Sequence, residues 1–135
     1  MNLAGVFAAL PTAFTNDDDL DVHRMRAALA HWVASPLAGF VVLGTTGEAG
    51  LLTDDEADRV VGEVRALVPR DRPLIVGTGR ESTAAAVRAA KRAGQLGADA
   101  ILVRTPGLFQ AQMAHRELAR HYMAVADASP VPVLL

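Results

Sequence analysis

Apolar residues fall along this chain in two alternating kinds of cluster. Five short runs are almost continuously hydrophobic: residues 5–12 (GVFAALPT), 39–44 (GFVVLG), 73–79 (PLIVGTG), 100–105 (AILVRT) and 131–135 (VPVLL). Each is too short for a helix and rich in Val, Leu and Ile, as strands covered on both faces of a parallel sheet are. Between the runs the apolar positions recur at helical spacing. Val22, Met25, Leu29, Trp32 and Val33 line one face, and Val60, Val61, Val64, Leu67 and Val68 line another. Residues 82–97 carry a mainly alanine face that lets a helix lie close to a sheet. A fourth helix is predicted from Met113 to Ala128, with Leu118, Tyr122 and Val125 turned inward.

Start and stop signals sharpen these segments. Asp21 and Ser82 are predicted N-caps, because their side-chain oxygens can accept from free amides of the first turn. Thr53 and Glu56 form a capping box, and Pro69 ends the helix they open. Gly97 suits the left-handed position after a helix, and Pro130 follows the fourth helix. The order is βαβαβαβαβ with right-handed crossovers and no visible linker, so residues 1–135 read as a single domain.

Two α/β architectures share that order. A self-contained doubly wound sheet of receiver or flavodoxin type suits the length, whereas an eight-fold β/α barrel normally needs ~250 residues. The strand ends favour the first half of a barrel. A receiver-like domain wants an aspartate after its third strand and a lysine after its fifth; here the third ends in Gly77-Thr78-Gly79 and the chain stops in the fifth.

Composition narrows the function. The net charge of −2 and the scatter of basic residues among helices argue against nucleic acid as a partner. With no cysteine, neither a disulfide framework nor a thiolate metal site is expected. No run reaches the ~18 apolar residues of a membrane span. The first residues lack the charged start of a signal peptide, and a cytoplasmic location is the expectation. Of the 13 basic residues all but Lys91 are arginine.

Candidate chemistry clusters where strands hand over to loops. In Gly44-Thr45-Thr46-Gly47-Glu48, consecutive amides and two hydroxyls can form a donor cluster for a small anion such as a carboxylate. The same residues also suit a tight turn whose threonines satisfy the local backbone. GTGRES at 77–82 lacks the third glycine and the downstream acidic residue of a dinucleotide fingerprint; its glycines instead let the backbone pass close to a neighbouring loop or substrate. DDDLDVHR has Val22 and Ala28 where a calcium loop needs glycine and glutamate, so it reads as a solvated acidic turn. His23, His31, His115 and His121 lack zinc-ligand spacing and are expected at surface or partly buried helix positions; no metal or cofactor is implied. Arg104, closing the fourth strand, either meets an anionic substrate or pairs with a neighbouring carboxylate.

Taken together, GVFAALPTAFTNDDDLD, GFVVLGTTGEAGLLTDDE, LIVGTG, ADAILVRTP and HYMAVADASPVPVLL resemble the dihydrodipicolinate synthase / N-acetylneuraminate lyase family of pyruvate-dependent class I aldolases. The likeness spans almost the whole chain in order and spacing. It implies a (β/α)8 barrel, usually in an oligomer, in which a sixth-strand lysine forms a Schiff base with pyruvate or another 2-oxo acid. It implies that Thr45, Thr46 and Gly47 bind the substrate carboxylate, and that Thr45 also relays protons between two tyrosines. Where the family has a pair of tyrosines in the loop after strand four, one of which helps complete that relay, this chain has Leu108 and Phe109, which bear no hydroxyl. The TP-x-x-F spacing leans towards the 4-hydroxy-2-oxoglutarate or sugar-acid aldolases.

The resemblance breaks off in strand five, before the Schiff-base lysine, and Lys91, mid-helix between Arg88 and Arg92, is expected to face solvent. A partial barrel leaves strand edges and an apolar sheet face to be covered by a missing second half-barrel or another copy of the chain. The expected function is therefore a Schiff-base lyase or aldolase acting on a small 2-oxo acid in its full-length form, with this chain alone inactive. The alternative is a non-catalytic half-barrel that binds a carboxylate or serves as an assembly module.

Overall fold

The structure, a computed structural model, describes residues 2–135. Five strands, β1 (Phe7–Ala9), β2 (Gly39–Val42), β3 (Leu74–Gly77), β4 (Ala100–Leu102) and β5 (Val133–Leu134), alternate with α1 (Val22–Val33), α2 (Asp54–Leu67), α3 (Thr83–Gln95) and α4 (His115–Ala128). All pairings are parallel, and the strands lie side by side in the order β1-β2-β3-β4-β5. That order separates the two candidate architectures. A doubly wound sheet reverses direction at a switch point, whereas a sheet in which every strand pairs with its predecessor curls towards a barrel. The fold is the first half of a (β/α)8 barrel.

The register assigns each side chain to a layer. Phe40, Val42, Leu74, Val76, Ile101 and Val103 are all at most 1% exposed and pack with Val60, Val61, Val64, Ala86, Ala90 and Val125 from the helices. By strand alternation, Val41, Ile75 and Ala100, which stand in register, and then Gly77, Leu102 and Leu134 point to the other face. The alanine face of α3 lies flush against the sheet, with Ala86 and Ala90 fully buried.

The predicted caps are present. Asp21 accepts from the Arg24 amide at 2.8 Å and Ser82 from the Ala85 amide at 3.2 Å. Both arms of the Thr53–Glu56 capping box are made, and the hydrogen bonds from Thr53 hold the Glu56 carboxyl below its usual range. Gly97 sits at φ +91°. The fourth helix starts later than expected, at His115 rather than Met113, behind a short 3-10 turn at 110–112. Its cap position is Ala114, which offers no side-chain acceptor, so nothing in the sequence marks that boundary.

Two arginines tie down the end of the sheet opposite the strand carboxyl termini. Arg65, 6% exposed, donates to Asp99 Oδ2 at 2.8 Å and to the carbonyls of Val68 and Pro69. The same Asp99 oxygen accepts the Leu74 amide at 2.8 Å. Arg72 donates to the carbonyls of Val33, the last residue of α1, and of Ser35 beyond it. Each guanidinium satisfies carbonyls that a helix end leaves orphaned, which a lysine point charge does less completely.

Candidate active site

The β2–α2 connection begins with Leu43, buried and at φ +55°, a left-handed conformation that costs a non-glycine residue ~1–2 kcal/mol. This turn brings the Leu43 carbonyl over β3. A β-carbon on Gly77 would lie 1.9 Å from that oxygen, so Gly77 is there to let the two backbones meet. Gly79 does the same for another neighbour: a β-carbon there would lie 2.4 Å from Arg104 Cγ. The expectation that the glycines of GTGRES permit close approach is thereby met at both positions.

The turn itself is held by its backbone. Gly47 N donates to Gly44 O at 3.2 Å, Glu48 N to Thr45 O at 3.1 Å and Leu51 N to Glu48 O at 2.8 Å, with Glu48 at φ +53°. Gly47 packs under Leu10, and its carbonyl accepts the buried Thr12 hydroxyl at 2.7 Å. Among the described residues neither the hydroxyls nor the amides of Thr45 and Thr46 have a hydrogen-bond partner. The two threonines are therefore not consumed in stabilising their own turn. Both are exposed, while Gly47 is buried.

Thr45 opens onto a cleft of about 490 Å³ at the carboxyl ends of the strands, lined also by Leu43, Glu48, Gly77, Leu102 and Arg104. Thr46 and Gly47 stand beside it without lining it. The strand carboxyl ends are where β/α barrels carry their chemistry. On the far side of the cleft Arg104 donates to Glu81 Oε1 at 2.7 Å and to Thr105 O at 3.1 Å. Glu81 Oε2 accepts the amides of Gly107 and Leu108 at 2.8 and 2.9 Å. The Leu108 amide, then Arg104 and the Gly107 amide, pull the Glu81 carboxyl down to about 2. Leu108 and Phe109 themselves are exposed, at 73% and 67%.

Lys91 is exposed on α3, on the helix layer outside the sheet, as its neighbours in sequence imply. His121 departs from expectation: it is 3% exposed, with Nδ1 2.9 Å from the Thr83 hydroxyl and Nε2 without a partner. It stands three residues after Leu118 and four before Val125, on the inward face the spacing had already defined, and burial pushes its pKa down. Thr12 and Glu81 do not line the cleft but hold residues beside it, Thr12 the Gly47 carbonyl and Glu81 the Arg104 guanidinium, pairings that only the folded geometry makes. Among the described residues no three of His, Asp and Glu gather as metal ligands, and no helix is long and apolar enough to cross a membrane.

A family model described as the dihydrodipicolinate synthetase family matches residues 2–135. The chain belongs to that family. A 4-hydroxy-tetrahydrodipicolinate synthase of Xanthomonas axonopodis pv. citri is 38% identical over 135 residues, covering 100% of this chain and 44% of the relative. A probable mitochondrial 4-hydroxy-2-oxoglutarate aldolase of Emericella nidulans is 34% identical, covering 97% and 44%. The crystal structure of a dihydrodipicolinate synthase from Acinetobacter baumannii, complexed with pyruvate, superposes with a TM-score of 0.92 at 31% identity over 98% of this chain and 45% of that one. The chain thus spans less than half the length of these family members.

Proposed function

We propose that residues 1–135 form the carboxylate-binding half of a pyruvate-dependent Schiff-base lyase or aldolase. The observation that carries this reading is the turn at Gly44–Glu48: two adjacent threonines with free hydroxyls and amides, on a strained strand end, beside a cleft at the barrel mouth. In this reading Thr45 and Thr46, with the Gly47 backbone, hold the carboxylate of a 2-oxo acid. That leaves its keto carbon to an amine, which attacks with loss of water and turns the adjacent carbon into a site where a C–C bond can be made or broken. The amine comes from outside these residues, since Lys91 lies on the outer surface. No resident cofactor is required, and the setting is cytoplasmic.

The proton relay proposed for Thr45 lacks its usual loop tyrosine, because Leu108 and Phe109 stand in that loop. Their exposure supports their being covered in a homo-oligomer or by the remaining half of the barrel. Borohydride reduction in the presence of pyruvate tests the proposal. The full-length protein should gain a stable adduct on a lysine outside residues 1–135, and this chain alone should gain none. An adduct on Lys91 overturns it.

A further inference from the structure

We infer that Arg104, seated by Gly79 and clamped by Glu81, is a specificity-determining residue that binds a second, distal carboxylate of the 2-oxo acid substrate; this rests on the function proposed above. The stem of Arg104 lies across Gly79, where any side chain would strike it, and Arg104 is among the residues lining the cleft onto which Thr45 opens. The GTGRES segment thus supplies both the space and the clamp for one arginine two residues past the end of the next strand.

The clamp is an orienting device. An exposed ion pair contributes little to stability. Here, however, one carboxylate fixes the guanidinium through Oε1 and the following loop through Oε2, so arginine and loop are positioned together. Hydrogen bonds to Glu81 and Thr105 engage two of the five guanidinium N–H donors, leaving the others for a planar acceptor.

Spacing selects the ligand. β2 and β4 flank β3, so their ends stand roughly 10 Å apart, two interstrand spacings. With the first carboxylate at Thr45 and Arg104 lining the same cleft just past the end of β4, the second carboxylate belongs two or three carbons beyond the keto group. A monocarboxylic 2-oxo acid has nothing to offer there.

The test is calorimetric binding of 2-oxoglutarate and of 2-oxobutyrate to the full-length protein. The wild type should prefer 2-oxoglutarate by about tenfold or more. Arg104→Gln should bring the two affinities within about twofold, and Arg104→Lys should restore little, since an ammonium lacks the planar fork. Glu81→Gln, as a positioning change, should lower the preference with the unfolding midpoint unchanged. A wild type without the preference, a preference that survives Arg104→Gln, or no binding of either acid overturns the inference. The outcomes separate from those of the parent proposal. Pyruvate trapping without dicarboxylate preference sinks only this inference, whereas Arg104-dependent preference without trapping sinks only the Schiff-base reading.

Discussion

The Gly77 α-carbon and the Leu43 carbonyl meet so closely that no side chain fits between them: a β-carbon would lie 1.9 Å from the oxygen. The obstacle is backbone, already bent into a left-handed conformation at Leu43, so it cannot yield by changing rotamer. Gly77→Ala should therefore cost at least about 3 kcal/mol, at the upper end for overpacking. Gly62→Ala, on α2 with nothing near its added carbon, should instead stabilise by about 0.4–1 kcal/mol. Denaturant unfolding of both full-length variants checks the pair, and similar midpoints for the two would refute the steric argument.

Buried Arg65 makes a second, independent prediction at the other end of the sheet. Its guanidinium joins Asp99 to the carbonyls after α2, while Asp99 also holds the Leu74 amide. Arg65→Ala should cost about 3 kcal/mol, because it leaves buried acceptors without donors. Asp99→Asn keeps an acceptor for Leu74 and should cost about half as much. Equal losses in the two variants would mean that the ion pair, not the carbonyl contacts, carries the effect.

His121 makes stability depend on pH. Burial lowers its folded pKa below the ordinary value of 6.5, so the unfolded chain binds the proton more readily. Its contribution is complete above about pH 6.5 and is lost as pH falls through the folded pKa. The unfolding midpoint of the full-length protein should decline over that interval, and His121→Leu should flatten the decline. An unchanged slope in the variant would show that other groups titrate there.

Element order and helix faces were legible because apolar runs and helically spaced apolar residues alternate along the chain, and the caps at Asp21, Thr53 and Ser82 are local chemistry. The choice between barrel and doubly wound sheet rests on neighbour relations between strands, which periodicity does not encode; only the strand ends and the family likeness pointed the right way. GTTGE stood out because two adjacent hydroxyls between glycines directly follow a buried apolar run. Glu81 and Arg104, 23 residues apart, carry no joint signal, since their pairing comes from the parallel register that sets the ends of β3 and β4 side by side. His121 was hidden differently: its position on the inward face was readable, but its polar ring weighed towards solvent.

Thr12 is a threonine whose importance depends on what it holds. Its buried hydroxyl donates to the Gly47 carbonyl at 2.7 Å, pinning the turn that presents Thr45 and Thr46. Thr12→Val keeps the shape, removes the donor and leaves a buried carbonyl unpaired, which costs about 1–3 kcal/mol. Part of that cost falls on the turn's geometry rather than on global folding. Pyruvate affinity of the full-length protein should drop about 3–10-fold, and amide exchange should quicken selectively at residues 45–48. Thr15→Val, whose hydroxyl serves only the exposed acidic turn through the amides of Asp17 and Asp19, is the control and should leave pyruvate affinity unchanged. If Thr12→Val weakens folding while pyruvate binds as before, the threonine turn is not the carboxylate site.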